Sequence, residues 1–377
     1  MKKVLVIPHQ PYLEKLRIRL IEIAKALREH YKIYLFHWNV SENLIFRERL
    51  FCALKDILKI KKIYLREGIE IIEFPLLHRP YNLAVKFNSF WLNKFVDEEG
   101  LDTVINGSYY MFSIPPSRNF KYIYDLADLP VTAEKISFNK FVQDRVIQEI
   151  KKADVVTVAS SGLADYVKNN YCCNNPIFIP NGADIERLRS VDPLKVEQIR
   201  QKYNLLGKWV IGYIGNMGEW VDIEITVEAF KKLKAKIPQS ILLWVGAYTR
   251  VRNLVKKYSA DDVIFTGGIN AKEEIGLYFQ LIDVGIIPHK PSLFQNLTFQ
   301  IKLIEYTAAR KIVISSPLAE AKILGFPNVF FADLNIEEWV NNLNKAYNTK
   351  WDSAWDNLVN AYDYKNIKEK FREVIEK

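Results

Sequence analysis

Residues 209–230 read WVIGYIGNMGEWVDIEITVEAF. The first six letters are a β-branched and aromatic run of strand length. The last letters repeat apolar residues at helical spacing, and Gly215-Asn216-Met217-Gly218 separates the two. A continuous apolar strand running through a glycine turn into a helix is the unit of a buried parallel sheet. Glycines at the turn let the backbone approach a ligand, and the following helix offers free N–H groups and a partial positive charge. A diphosphate fits that place.

The same unit recurs outward from this stretch. Strand candidates SILLWVG (240–246), DVIFTGG (262–268), DVGIIP (283–288), KIVISS (311–316) and NVFFAD (328–333) follow on its C-terminal side. Helical patterns at about 224–236, 249–258, 271–282, 299–309 and 335–348 lie between them. On the N-terminal side, KVLVIP, KIYLFHW, IEIIEFP, TVING, KYIYDL, DVVTVAS and IFIPNG alternate with helical stretches such as 13–29 and 138–152. The expectation is an α/β chain of two doubly wound, Rossmann-like domains, at 1–184 and 191–350, facing a central cleft. Asn181-Gly182-Ala183-Asp184 reads as a turn and Val191-Asp192-Pro193 as a linker. Residues 351–377 read as helical and charged, opening with Trp351 and Trp355, which need an apolar surface to cover them.

Composition narrows the class. The chain has 377 residues, 49% hydrophobic and 26% charged, the balance of a globular protein with filled cores. No apolar run reaches the 18 or so residues of a membrane helix. The N-terminus starts like a signal peptide, but its apolar stretch ends at Pro8 and no small-residue cleavage site follows, so a first strand is expected. Cys52, Cys172 and Cys173 suit reduced cysteines in a cytoplasmic protein better than a disulfide framework or a zinc site. The net charge of +9 concentrates in residues 45–66, where Leu50, Leu54, Ile57, Leu58 and Ile60 interleave with basic residues at near-helical spacing. That segment reads either as a helix on a core or as a basic amphipathic helix for an anionic membrane surface. No basic–aromatic recognition motif points to nucleic acid.

Candidate site residues fall at the strand ends. Gly246 and Gly267-Gly268 occupy positions equivalent to Gly215 on successive strands, although any one glycine there can serve a turn alone. The spacing is neither the dinucleotide fingerprint nor a phosphate loop ending in Gly-Lys-Ser/Thr. In FQIKLIEYTAAR (299–310), Glu305 lies one turn beyond Lys302. A carboxylate there can accept both hydroxyls of a ribose, and Lys302 can offset phosphate charge. The alternative is an ordinary Lys/Glu surface pair. Asp125 and Asp128 in YIYDLADLP end a strand and can bind hydroxyls or accept a proton, or Asp128 can simply stabilise the turn before Pro130. His9 and Gln10, after the first strand, are candidate acceptor contacts, whereas His30, His37 and His78 read as structural or solvated. No Asp-x-Asp occurs, so no metal is expected to bridge a diphosphate, and no cofactor is expected.

The order PNGAD, IGYIG…W-x-D, WVGA, FTGG, DVGIIP, KLIEYTAARKIVISS resembles the retaining nucleotide-sugar glycosyltransferases of family 4, of GT-B fold, over essentially the whole chain. Trp220 and Asp222 with Lys302-Leu303-Ile304-Glu305-Tyr306 resemble the teichuronic-acid-type subgroup. The resemblance implies that Glu305 binds the donor ribose and that Gly215, Asn216, Met217 and Gly218 lie against its phosphates. It implies that Thr266, Gly267 and Ile269 line the base pocket, that His289 and Lys290 face sugar or phosphates, and that 351–377 crosses back to the first domain. The chain departs from the pattern at Leu297, where a first glutamate is usual, and at Glu219, Trp220 and Asp222, where Arg and Lys often stand. It departs also at Arg310, where glycine precedes a strand, at Pro8-His9-Gln10-Pro11, and at Asp125, in place of a histidine. The expected activity is metal-independent, retaining transfer from a nucleoside diphosphate-sugar such as a UDP-sugar to a glycan or lipid-linked acceptor, with Asp125, Lys302 and His289 as catalytic candidates. Such an enzyme of polysaccharide biosynthesis is expected to be cytoplasmic, or peripheral on the inner membrane face. A sugar-nucleotide epimerase of the same fold and a non-catalytic nucleotide-sugar-binding subunit are the alternatives.

Overall fold

The computed structural model describes residues 1–10, 18–37, 62–74, 76–77, 80–130 and 136–377. It divides into two compact units: Met1–Asn181 with Tyr364–Lys377, and Gly182–Asp363. The C-terminal segment therefore splits at 363, not at 351.

In the first unit, strands β1 (Lys3–Ile7), β2 (Lys32–His37), β3 (Lys62–Arg66), β4 (Ile69–Glu73), β5 (Thr103–Asn106), β6 (Lys121–Leu126), β7 (Val155–Val158) and β8 (Ile177–Phe178) form one sheet. Its order is β3-β4-β2-β1-β5-β6-β7-β8, and every pairing is parallel except β3 with β4. The central strands are buried along nearly their whole length, as their unbroken apolar letters require. Helix Arg19–Leu27 covers one face, and helix Tyr364–Glu376 returns to pack beside it through Ile367, Phe371, Val374 and Ile375.

The basic segment 45–66 is corrected at its end. Residues 45–61 lie outside the described residues, but Lys62–Arg66 is a strand rather than a helix. Glu67 and Gly68 both take positive φ, 51° and 77°, and Lys62–Arg66 pairs antiparallel with Ile69–Glu73. Positive φ at two successive turn residues is the geometry that folds a twisted strand back on itself. Helical spacing in the letters before it gave no sign of that turn.

In the second unit, β9 (Trp209–Ile214), β10 (Ser240–Val245), β11 (Val263–Phe265), β12 (Val284–Ile287), β13 (Ile312–Ser315) and β14 (Val329–Phe331) form a parallel sheet ordered β11-β10-β9-β12-β13-β14. Helices Ile223–Lys234 and Ile336–Tyr347 bury Phe230, Leu233, Trp339 and Leu343 against one face. Trp355 packs against this same core, with Trp351 edge-on to it at 5.3 Å.

Asp125 requires a second correction. It is 1% exposed at the end of β6. Arg19 Nε and Nη2 donate to its carboxylate at 3.0 and 3.1 Å, and the Thr157 hydroxyl donates at 2.7 Å. The same guanidinium donates to the carbonyls of Ile179 and Pro180 and to Asn181 Oδ1. The carboxylate thus joins helix Arg19–Leu27 to β6 and to the end of the first unit, and is enclosed there rather than exposed at the strand end. Removing one member of a buried ion pair leaves the other uncompensated, a cost of about 3–5 kcal/mol. Arg19→Ala is expected to lower the urea midpoint of the first unit sharply. A midpoint within error of the parent would show that the pair contributes nothing.

Candidate functional site at the opening of the second sheet

Strand β9 is the switch point of its sheet, with β10 and β11 on one side and β12, β13 and β14 on the other. Six residues of β9 pair with β10, but pairing with β12 stops after Ile211–Val284 and Gly212–Gly285. Beyond Gly212 the strands part, and ligands of open parallel sheets bind at such an opening.

Tyr306 fills the gap. Its hydroxyl accepts from Ile214 N at 2.9 Å and donates to Gly212 O at 3.0 Å, replacing the partners that β12 does not supply. Gly285 makes room for the ring, since a Cβ there would stand 2.5 Å from Tyr306 Cδ1. The tyrosine thereby fixes helix Ile301–Ala308 against the carboxyl end of β9, and Lys302 and Glu305 lie on that helix. Sequence reading singled out Lys302 and Glu305 and passed over Tyr306 as motif spelling. A buried tyrosine beside two strand glycines was the available signal.

Gly215 has φ 147°, and a Cβ there would lie 2.7 Å from Lys302 Nζ. Only glycine admits the lysine so close. Nζ also sits 5.6 Å from the Tyr213 ring centroid, and no carboxylate lies within ion-pair distance of it among the described residues. Burial lowers its pKa, with Glu305 acting in the opposite sense. Glu305 itself is half-buried.

The other glycines come together as well. Gly246, at φ 135°, lies against the Gly215 carbonyl so closely that a Cβ would collide with it. Gly215 N donates to Val245 O at 2.8 Å, Met217 N to Ala247 O at 2.8 Å, and Gly246 N to Gly267 O at 2.9 Å. The ends of β9, β10 and β11 are thus laced by backbone, leaving Asn216 exposed and Met217 buried. The Thr266 hydroxyl is bonded to the carbonyl of Gly267, and Ile269 is half-buried.

After the glycine turn the chain pairs with the end of β12. Val221 bridges His289 antiparallel, Asp222 N donates to Pro288 O at 2.8 Å, and Lys290 N to Trp220 O at 2.7 Å. Trp220 lies flat against Gly218, and Asp222 caps helix Ile223–Lys234 through Ile225 N at 3.1 Å. The Trp-x-Asp spacing is therefore the clasp of the turn. His289 is 6% exposed, with Nε2 3.4 Å from the Tyr213 hydroxyl, which donates to Asn216 O at 3.1 Å. Burial and then Lys302 lower its pKa to about 3, with Gln295 opposing, so the imidazole is neutral at physiological pH. Lys290 is exposed.

In the first unit, His9 stacks on Tyr109 at 6.2 Å and Gln10 is exposed. Burial lowers the pKa of His9 to about 4; Asp125 raises it and Arg19 lowers it. Asp128 is half-buried, and the Tyr109 hydroxyl reaches its carbonyl at 3.5 Å. Among the described residues no group of three or more His, Cys, Asp or Glu could hold a metal ion.

The neutral state of His289 has a thermodynamic consequence. Below about pH 6.5 the unfolded chain binds a proton that the folded site refuses until about pH 3, so this residue makes stability fall as pH falls through that window. His289→Gln is expected to flatten the dependence of the chemical unfolding midpoint between pH 7 and pH 4. An unchanged slope would mean that the folded imidazole titrates normally.

Residues 208–349 match the family model described as Glycosyl transferases group 1. A curated relative, the putative teichuronic acid biosynthesis glycosyltransferase TuaH of Bacillus subtilis, is 26% identical over 219 residues, 55% of this chain and 53% of that protein. The chain therefore spans about half the length of the curated relative it matches. Among solved structures, a glycosyltransferase from Rickettsia africae superposes with TM-score 0.72 at 18% identity, covering 100% of this chain and 98% of that one. HepE of Anabaena in complex with UDP superposes with TM-score 0.70 at 17% identity, with both chains fully covered. Together with the open switch point and its laced glycine turns, these matches show that the chain has the GT-B fold and that residues 208–349 form a glycosyl transferases group 1 domain.

Proposed function

We propose that the protein transfers a sugar from a nucleoside diphosphate-sugar, a UDP-sugar by preference, to a glycan or lipid-linked acceptor with retention of anomeric configuration. The observation that carries this reading is Lys302. Its half-buried ammonium lies against the backbone of Gly215 at the switch point, with no carboxylate paired to it among the described residues. A partly desolvated cation without a counter-ion is disfavoured and is relieved by an anionic ligand. HepE has been solved with UDP, with UDP and glucose, and with UDP-glucose, and TuaH is described as a teichuronic acid biosynthesis enzyme, which supports a nucleotide-sugar donor and a polysaccharide product.

In this reading Gly215, Asn216, Met217 and Gly218 present backbone to the diphosphate. Glu305 accepts from the ribose hydroxyls, while Gly246, Thr266, Gly267 and Ile269 border the base. As the glycosidic bond breaks, charge gathers on the departing phosphate, where Lys302 offsets it without needing to move; Lys290 adds positive charge nearby. His289, being neutral, adds no competing charge and can hydrogen-bond a sugar hydroxyl. His9, Gln10 and Asp128 contact the acceptor. These groups do the work without a metal or a cofactor.

An anionic bilayer surface is the setting proposed for a lipid-linked acceptor. Among the described residues no helix is long and apolar enough to cross a membrane. Helix Tyr81–Glu99, however, turns Leu83 and Phe90 outward at 56% and 61% exposure, and Lys86 and Lys94 share that face. Apolar and cationic side chains on one face suit the headgroup boundary of acidic lipid.

Two experiments test the reading. Calorimetric titration with UDP is expected to show about tenfold or weaker binding in Lys302→Met and in Glu305→Ala, the loss expected for hydrogen bonds to charged groups. Undiminished affinity in both variants would remove the donor site from this helix. In a flotation assay, vesicles containing phosphatidylglycerol should carry the parent protein upward and release it on Phe90→Asp/Lys94→Glu substitution. Flotation that ignores both lipid charge and these changes would count against the membrane surface.

A further inference from the structure

The ribbon formed by residues 220–222 and 288–290 has two sides. His289 turns toward Tyr213, whose ring also faces Lys302. Lys290, the next residue, lines a cavity of about 390 Å³. Its other walls are Glu219 and Val221, directly after the glycine turn, and Arg250, Arg252 and Asn253 from the loop after β10. The backbone bond from Met217 to Ala247 holds these two loops side by side.

The charge in this cavity is unbalanced. Arg250, Arg252 and Lys290 face a single acid, Glu219, and none of the four is held in an ion pair or side-chain hydrogen bond among the described residues. Other exposed cations of the same unit, Lys231, Lys257 and Arg310, are held by Glu228, Glu224 and Asp356. Two guanidinium forks and an ammonium converging on one cavity form a receptor for an oxyanion, which arginine grips with two parallel hydrogen bonds. The volume falls in the range of about 300–1,000 Å³ common to small-molecule sites, at its small end. Neither Arg250 nor Arg252 belongs to the proposed donor site.

We propose that this cavity is a second anion site, distinct from the Lys302 side of the turn, that binds a sugar-sized molecule bearing a phosphate or a carboxylate. The proposal does not depend on the proposed transfer reaction. Val221 and Glu219 make the cavity's wall part of the segment that leaves the glycine turn, so a ligand here borders the donor turn from behind.

Calorimetric titration of the full chain tests it, with glucose 6-phosphate, glucuronate and inorganic phosphate as probes and UDP in parallel. Glucose 6-phosphate or glucuronate should bind, and binding should weaken about tenfold or more in Arg250→Ala/Arg252→Ala. Arg250→Lys/Arg252→Lys should retain part of it, and Lys302→Met should leave it unchanged. Inorganic phosphate binding alone would overturn the sugar-sized ligand, and glucuronate against glucose 6-phosphate identifies the anion. No binding by any probe, equal binding to parent and double-alanine variant, or loss in Lys302→Met would overturn the second site. UDP binding that persists while the probes fail defeats this proposal alone, and the reverse result defeats only the donor site.

Discussion

The hydroxyl of Tyr306 is the group on which the second unit's site depends. A parallel sheet that reverses its winding direction must let two neighbouring strands part at their carboxyl ends. The parting leaves backbone donors and acceptors without partners, and buried groups of that kind cost free energy unless satisfied. Here one phenol serves both Ile214 N and Gly212 O. The solution ties the geometry of the opening to a helix, and so to every side chain that helix carries. Lys302 reaches Gly215 because Tyr306, one turn later, is anchored to Gly212 and Ile214, just before that glycine on β9. Glycines at 285 and 215 are the complementary half of the arrangement: one accommodates the ring and the other the ammonium.

Much of this was legible in the letters, for reasons that differ by residue. The strands of both units announce themselves as continuous apolar runs because both faces of the sheet are covered, and every strand candidate named in the sequence became a strand. Glu305 and Lys302 were visible because charge on an otherwise apolar helix is conspicuous. Hidden were features whose meaning depends on partners far away in sequence. Strand Lys62–Arg66 exists through its pairing with Ile69–Glu73 across a turn that non-glycine Glu67 enters at positive φ. Asp125 looked reactive because a carboxylate at a strand end is exposed by default, and nothing near it in the chain reveals Arg19, 106 residues earlier.

Two departures from the family pattern find physical explanations. Arg310 stands where glycine is usual and takes φ 60°, a conformation that costs a side chain of the order of 1 kcal/mol or more. Its guanidinium is held by both oxygens of Asp356, at 2.9 and 2.6 Å, and the same carboxylate accepts from Trp351 Nε1. The segment that follows the last helix of the second unit thus supports a backbone kink near the site's helix. Trp220 and Asp222, standing where basic residues are common, close the glycine turn by packing and capping instead. What the turn gains in order it loses in positive charge, which leaves Lys302 as the half-buried cation on the β9 side of the opening.

The first unit meets the same topological constraint and resolves it differently. Its winding reverses between β1 and β5, and there Gly107 N donates directly to Ile7 O at 2.7 Å. A Cβ on Gly107 would stand 2.6 Å from Leu20 Cδ1 and 3.4 Å from His9 N, so glycine again permits the close approach. Because backbone closes this opening, no side chain is consumed in doing so. His9 is left with Nδ1 unpartnered among the described residues and its ring supported by Tyr109. Its pKa of about 4 keeps that ring neutral, a state in which one nitrogen can accept a hydrogen bond from a hydroxyl. Asp125, nearby but saturated by Arg19 and Thr157, influences His9 only through its charge. The polar chemistry available to a ligand at this opening therefore passes from the aspartate that the sequence made prominent to the histidine two strands away.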